Sequence, residues 1–331
     1  MILQTLKSNR IVNLILFPLF GILFWIKSFL APFSYQFFPG ENENTLYSPV
    51  VNLVQNSDYL QVALSLILVL FIAFLIQQVN DRFLLLRIRI KLPATIFVLI
   101  VGGITTMHTS HPVYFAAIFL LLAINSFFEI FNNPKPFPHI FNAGLFIGIG
   151  SLFYFNLVII LPAFLIAIVI LRREVKWREF LILVIGFILP FIFALGYAFL
   201  TEQLLALLAT YEQSIITPIN HFRDNYPLHA FLTLLIIFTV LGSFKLLKQY
   251  DSRKVSTRKY YSIFLLIFIF SMISFAFIPA ASQEMLVIAV IPVTLLISNF
   301  FASMISKFWG NFLFTLLIIA VVLMQFSDQL F

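Results

Sequence analysis

Long apolar runs, separated by short polar segments, extend along most of the chain. A transmembrane helix needs about 20 predominantly apolar residues, and eleven runs approach or reach that length. The runs cover residues 11–30, 59–79, 94–107, 112–131, 140–153, 156–171, 180–200, 229–246, 261–279, 284–301 and 309–327. They lack the two-residue alternation of outer-membrane strands. The pattern therefore predicts an all-α fold, a polytopic transmembrane helical bundle of about 11 spans, in which 94–107 and 140–153 carry the weakest signal.

Two polar connections, residues 31–58 and 201–229, are longer than a simple link between helices requires. In the first, apolar residues from Leu46 to Val54 recur at spacings of three and four among Asn, Gln and Ser. This spacing is typical of a short amphipathic helix at a membrane surface. The second connection begins with a similar stripe from Leu204 to Leu208. Neither is large enough for a soluble domain, so we interpret residues 1–331 as a single integral membrane domain.

The charged residues predict an orientation for this bundle. Only 10% of the residues are charged, against about 25% in soluble domains, which agrees with a membrane protein. If the N-terminus lies inside and the chain crosses eleven times, every Lys and Arg except Lys27 and Arg223 falls in an inside segment. Because basic residues concentrate on the cytoplasmic side, we predict an N-in, C-out protein of the bacterial cytoplasmic (inner) membrane. The net charge of +7 is thus a topology signal, and we predict no nucleic-acid partner.

Two glutamates stand in the first predicted outer connection, in the stretch PGENENTLYSP. Glu41 and Glu43 follow the dipeptide Pro39-Gly40, which favours a defined turn. Paired carboxylates in such a place can bind a divalent cation, or one of them can act as a general base. The alternative interpretation is an ordinary solvated loop. We therefore consider both residues as candidate catalytic and candidate metal-binding groups.

Basic side chains that could bind an anion are rare on the predicted outer side. Arg223 lies with His221 and Asp224 in the second outer connection, and the planar guanidinium group suits bidentate phosphate binding. A salt bridge to a nearby acid is the alternative for Arg223. Lys27, near the outer end of the first span, either extends to the membrane surface or faces the same cavity as Glu41.

Other motifs point to structure more than to chemistry. His108 and His111 form an HxxH on a short outer turn, which predicts hydrogen-bonded turn histidines in preference to a metal site. Gly144 and Gly148 lie four residues apart, with Gly150 close by, and predict close packing between helices. The chain has no cysteine, which excludes thiolate sites, and it has no phosphate-binding loop or nucleophile elbow.

The order of these parts resembles the common module of the GT-C-type polyprenyl-phosphate-sugar glycosyltransferases. In that superfamily, one span precedes a first outer loop with an acidic motif that a tyrosine often follows; Glu41, Glu43 and Tyr47 are similar in placement. Residues 141–190 resemble the middle section, with a Gly-rich span, a Pro-containing span and a basic inner loop. The resemblance covers about residues 1–230, with outer loops 31–58 and 201–229, while 231–331 adds further spans. The turn at 153–156 lacks the lysine that many members carry.

This resemblance implies a membrane glycosyltransferase-like protein that acts on the outer face. It would transfer a sugar from a polyprenyl-phosphate donor to an envelope acceptor. The catalytic residues would then be Glu41 and Glu43, with or without a divalent cation, and the substrate-binding residues would be Arg223, His221, Lys27 and Tyr47. Two alternatives stay open: a non-catalytic scaffold or assembly factor of envelope biogenesis with the same fold, and a lipid or solute transporter.

Overall fold

The structure, a computed structural model, describes residues 3, 6–7, 12–38, 40–88, 90–216, 226–281 and 283–326. These residues form thirteen α-helices and no β-strand. The helices are α1 Val12–Leu30, α2 Ser48–Val54, α3 Asp58–Phe83, α4 Leu92–Gly102, α5 Pro112–Phe128, α6 Phe137–Phe153, α7 Leu161–Leu171, α8 Trp177–Leu200, α9 Leu204–Ile216, α10 Tyr226–Lys248, α11 Val255–Phe277, α12 Met285–Ala302 and α13 Lys307–Gln325. Short 3₁₀ turns cover Glu41–Glu43, Thr105–His108 and Phe155–Ile160. The prediction of an all-α fold is therefore confirmed.

Every predicted apolar run coincides with a helix. Two runs are only partly α-helical: in the run 94–107 the α-helix ends at Gly102, and the run 156–171 begins with a 3₁₀ turn. Within the part of the chain that the structure describes, six helices, α3, α8 and α10 to α13, are long and apolar enough to cross a membrane, which indicates a multi-pass membrane protein. The count of eleven spans and their orientation stay predictions. The two predicted amphipathic segments are helical, as α2 and α9.

Helices α4 and α12 form the centre of the bundle. Every residue of α4 is buried, and α12 is buried along almost its whole length. A helix that is apolar on all sides needs protein or lipid around its full circumference. Helices α4, α5, α10 and α11 pack around α12. The outer layer includes α6 and α8, which pack on each other along most of their length. The predicted close packing is confirmed at Gly144 and Gly148, which face the α8 backbone, whereas Gly150 faces the side chain of Leu157.

The connections between helices gather at two opposite ends of the bundle. At the first, which we call the basic end, Arg87 donates a hydrogen bond to the Ser252 carbonyl and Arg172 donates one to the Asn133 carbonyl. These contacts join the segments that follow α3, α5, α7 and α10. At the other, which we call the histidine end, Ser28 and Glu41 contact the segment 103–111, and Tyr154 contacts Glu284. Segments that we predict on one side of the membrane thus contact one another.

Candidate functional site

The segment that connects α4 to α5 is the centre of the histidine end. It runs from Gly103 to His111, and both of its histidines are completely buried. Pro112 starts α5 at a position that suits proline, because the first helical residue has no intrahelical N–H partner to lose. The segment is held from two sides: the hydroxyl group of Tyr47 donates to the Ser110 carbonyl at 2.8 Å, and that of Tyr114 donates to the Met107 carbonyl.

His111 forms a buried ion pair with Glu41. Its Nδ1 lies 2.7 Å from Glu41 Oε1, and its Nε2 lies 2.9 Å from the Thr106 carbonyl oxygen. With Glu41 as a carboxylate, both of these partners accept hydrogen bonds, so both ring nitrogens donate and the ring is an imidazolium. Burial opposes this charge, but the Glu41 carboxylate outweighs it and raises the pKa of His111 above its usual value. The side-chain hydroxyl of Thr109 also lies 2.8 Å from Nε2.

The two glutamates of the PGENENTLYSP stretch have different environments. Glu41 is 1% exposed, and its second oxygen accepts a hydrogen bond from the Phe37 N–H at 2.7 Å. Each oxygen of the Glu41 carboxylate therefore has a donor within the protein. Glu43 is exposed. A 3₁₀ helix has three residues per turn, so side chains two positions apart point in different directions, which explains why one acid is inside and the other outside.

His108 is the uncharged counterpart of His111. Its Nε2 donates to the Gly102 carbonyl oxygen at 3.2 Å, so its Nδ1 accepts from the Ser28 hydroxyl at 2.6 Å. Burial, together with the nearby charge of Lys27, lowers the pKa of His108 to about 3. The ring stacks on Trp25 with centroids 4.0 Å apart. The surroundings thus shift the pKa values of two histidines three residues apart in opposite directions. Both rings are hydrogen-bonded, in agreement with the prediction of hydrogen-bonded turn histidines.

A second acid, Glu284, belongs to this cluster, and the sequence did not single it out. Glu284 directly precedes α12 and is completely buried. It accepts a hydrogen bond from the Tyr154 hydroxyl at 3.1 Å, and its charge helps to raise the pKa of His111. The one local feature that could have indicated Glu284 is its place at the start of a long apolar run, where the positive end of the helix dipole favours an acid.

Among the described residues, the predicted substrate-binding residues Lys27 and Tyr47 make no direct hydrogen bond to Glu41. Lys27 donates to the Gln325 carbonyl oxygen at 2.5 Å, where α1 meets α13. Tyr47 is buried and supports the histidine segment. His221 and Arg223 lie in 217–225, outside the described residues. Within the described ranges, no three side chains of His, Cys, Asp or Glu come together to hold a metal ion, so the divalent cation stays a prediction.

The two long connections predicted on the outer side contact each other. The Thr45 hydroxyl lies 3.2 Å from the Tyr211 hydroxyl on α9. Gly40 also lies against α9, since a Cβ atom on this residue would stand 2.7 Å from Gln213 Oε1. Helix α9 therefore contacts both sides of the turn that contains Glu41 and Glu43.

Comparison with known proteins identifies a family but no activity. A model described as "Family of unknown function (DUF6427)" matches residues 86–330, which is well over half of the chain, and the chain belongs to this family. The matched range includes His111 and Glu284 but begins after Glu41. No curated protein and no solved structure matches the chain.

Proposed function

We propose that this member of the DUF6427 family is a bacterial inner-membrane protein that works without catalysis, as a scaffold or assembly factor of envelope biogenesis. The observation that supports this function is the state of Glu41. A general base needs an accessible lone pair for the proton that it accepts. Both oxygens of the Glu41 carboxylate are instead bonded within the protein, to His111 and to the Phe37 N–H. Glu41, one of the two acids that the glycosyltransferase resemblance offers as a catalytic base, is thus held in a structural ion pair.

The buried ion pair suits a scaffold because it holds two separate connections together at the predicted outer side of the bundle. Glu41 is on the connection between α1 and α2, and His111 is on the connection between α4 and α5. Buried charged pairs fix one arrangement because any other arrangement leaves a charge without a partner. In our proposal, this arrangement presents α2 and α9 at the membrane surface, where Leu53 and Leu205 are at least 80% exposed.

A second candidate function, glycosyl transfer from a polyprenyl-phosphate sugar, rests on the contact between the two long connections. The Thr45–Tyr211 contact joins the loop of the exposed Glu43 to α9, and the chain continues from α9 to His221 and Arg223. In this alternative, Glu43 takes the proton from the acceptor hydroxyl, and Arg223 with His221 stabilises the departing phosphate.

The substitution Glu43→Gln separates the two functions. We expect Glu43→Gln to restore the envelope of a deletion strain as fully as the wild type does, because a scaffold needs no base at an exposed position. The measurement is the surface glycan profile, together with the amount of the protein in the membrane. Glu212→Gln, at an exposed acid on α9, is the matched control. Loss of a glycan in Glu43→Gln alone, at wild-type protein levels, would establish the glycosyltransferase instead.

The proposed orientation, with the N-terminus inside and eleven spans, has a direct test in this cysteine-free chain. We expect a single cysteine at the exposed Asn56 to react with a membrane-impermeant maleimide on intact spheroplasts. A cysteine at the exposed Ser252 should react only after permeabilisation, because it lies in a connection rich in basic residues. The reverse pattern would overturn the orientation, and labelling of both from outside would overturn the span count.

A further inference from the structure

A cavity of about 250 Å³ opens at the basic end of the bundle, at the other end of α4 and α12 from the histidine end. It lies where the segment after α3, the C-terminal end of α10 and the C-terminal end of α12 meet. The lining residues are Arg87, Ile88, Gln249, Asn299, Ala302 and Ser303. One lining side chain is cationic, three are polar and none is acidic, so the cavity offers hydrogen-bond donors and positive charge.

Asn299 contributes a buried donor that is not used within the described part of the chain. Its side chain is 3% exposed, and Oδ1 accepts a hydrogen bond from Arg253 Nη2 at 2.5 Å. Because a guanidinium group only donates, this contact sets the orientation of the amide and turns Nδ2 away from Arg253. Nδ2 is buried and has no hydrogen-bond partner among the described residues. A buried amide donor normally has an acceptor, and Asn299 is one of the residues that line the cavity.

Two arginines bring like charges together beside this donor. Arg253 is 7% exposed and donates to the Leu85 carbonyl oxygen as well as to Asn299. Burial lowers the pKa of Arg253, and the charge of Arg87 lowers it further. Neither guanidinium group takes part in the ion pairs found among the described residues. An anion bound in the cavity near both groups would relieve this repulsion.

We propose that this cavity binds the phosphate group of a phosphate monoester. Arg87 and the Asn299 amide donate to its oxygens, and Arg253 supplies a second positive charge from behind the amide. A monoester carries a charge of about −1.5 to −2 near neutral pH, which two guanidinium groups match. Arginine is also well suited to hold phosphate oxygens with parallel N–H groups.

The phosphate can come from a soluble molecule or from a lipid headgroup, and the surroundings favour a lipid. An apolar groove of about 410 Å³ between α10, α11 and α12 includes Leu246 and Leu296. These residues stand three positions, about one helical turn, before Gln249 and Asn299 of the phosphate cavity. A lipid phosphate in the cavity would therefore have an apolar channel for its acyl chain close by.

The test measures the thermal unfolding midpoint of the purified full chain in a non-ionic detergent. One arm adds inorganic phosphate against sodium chloride at equal ionic strength, and the other adds phosphatidic acid against phosphatidylcholine. We expect a saturable rise of the midpoint in at least one arm. Asn299→Asp keeps the acceptor for Arg253 but replaces the free donor by a carboxylate oxygen, and we expect about tenfold or more weaker binding. Arg87→Gln, at an exposed side chain, should weaken binding similarly without disturbing the core.

Arg178→Gln is the matched control, because Arg178 is exposed at the same end and does not line the cavity. A rise with inorganic phosphate identifies a general phosphate site, and a rise with phosphatidic acid alone identifies a lipid headgroup site. The proposal is overturned if neither arm raises the midpoint of the wild type. It is also overturned if Arg87→Gln responds like Arg178→Gln, a comparison that holds even if Asn299→Asp does not fold.

Discussion

Replacing Glu41 by glutamine is expected to lower the free energy of unfolding by about 3–5 kcal/mol, the usual cost of removing one partner from a buried ion pair. Glu41 and His111 are both almost completely buried, and the His111 ring donates from both nitrogens. Without the carboxylate, the ring either keeps a buried charge that has lost its hydrogen-bonded counter-ion or loses a proton and with it one hydrogen bond. Chemical unfolding of the purified protein in detergent measures the loss.

A double-mutant cycle shows whether this loss of stability comes from the interaction between Glu41 and His111. We expect His111→Gln to be destabilising as well, and the double variant Glu41→Gln/His111→Gln to lose clearly less than the sum of the two single changes. His108→Gln is the matched control, since His108 is buried in the same segment but is hydrogen-bonded to Ser28 and Gly102. Its effect should add to that of Glu41→Gln. Additive effects of Glu41→Gln and His111→Gln would show that the two side chains do not stabilise each other.

The same pair predicts how stability depends on pH. The folded-state pKa of His111 is raised above 6.5, so its stabilising contribution is fully present below about pH 6.5 and is lost as the pH rises through the folded-state pKa. His108, with a pKa lowered to about 3, has the opposite effect: its contribution is lost as the pH falls below about 6.5. His111→Gln should therefore flatten the alkaline side of the stability profile, and His108→Gln the acidic side.

The second large effect is expected from Gly144→Ala in α6. A Cβ atom at this position would stand 2.2 Å from the backbone oxygen of Leu183 in α8. A backbone carbonyl cannot rotate away as a side chain can, so the methyl group forces α6 and α8 apart along their interface. We expect a loss of about 3 kcal/mol, near the upper end of the usual cost of overpacking. Gly148→Ala, with a Cβ atom 2.4 Å from the Phe187 carbonyl oxygen, should behave alike.

Gly196→Ala provides the control for this prediction. Gly196 also lies in α8, but nothing stands within 4 Å of a Cβ atom there. Alanine is more favourable than glycine inside a helix by about 0.8–1.0 kcal/mol. This variant should therefore be as stable as the wild type or slightly more stable. Thermal unfolding of the three variants in one detergent makes the comparison. Equal stability of Gly144→Ala and Gly196→Ala would mean that α6 and α8 are not in such close contact.

The sequence by itself determined where the helices are. Apolar runs of about 20 residues become helices because a buried backbone must satisfy its own hydrogen bonds, and this requirement acts within each run. The amphipathic helices α2 and α9 were also predictable, because their apolar spacing is a local property. Gly144 and Gly148 indicated a close helix contact through their separation of four residues, although the partner helix α8 could not be read from the sequence.

The tertiary structure alone decided which polar groups are buried and with which partners. Glu41 and Glu43 are two positions apart and chemically identical, yet one pairs with His111, 70 residues further along the chain, and the other is exposed. His108 and His111 likewise share one buried segment, but burial lowers the pKa of His108, whereas the Glu41 carboxylate outweighs burial and raises the pKa of His111. The charge state and accessibility of a polar group depend on its neighbours in space, and packing supplies those neighbours from distant parts of the chain.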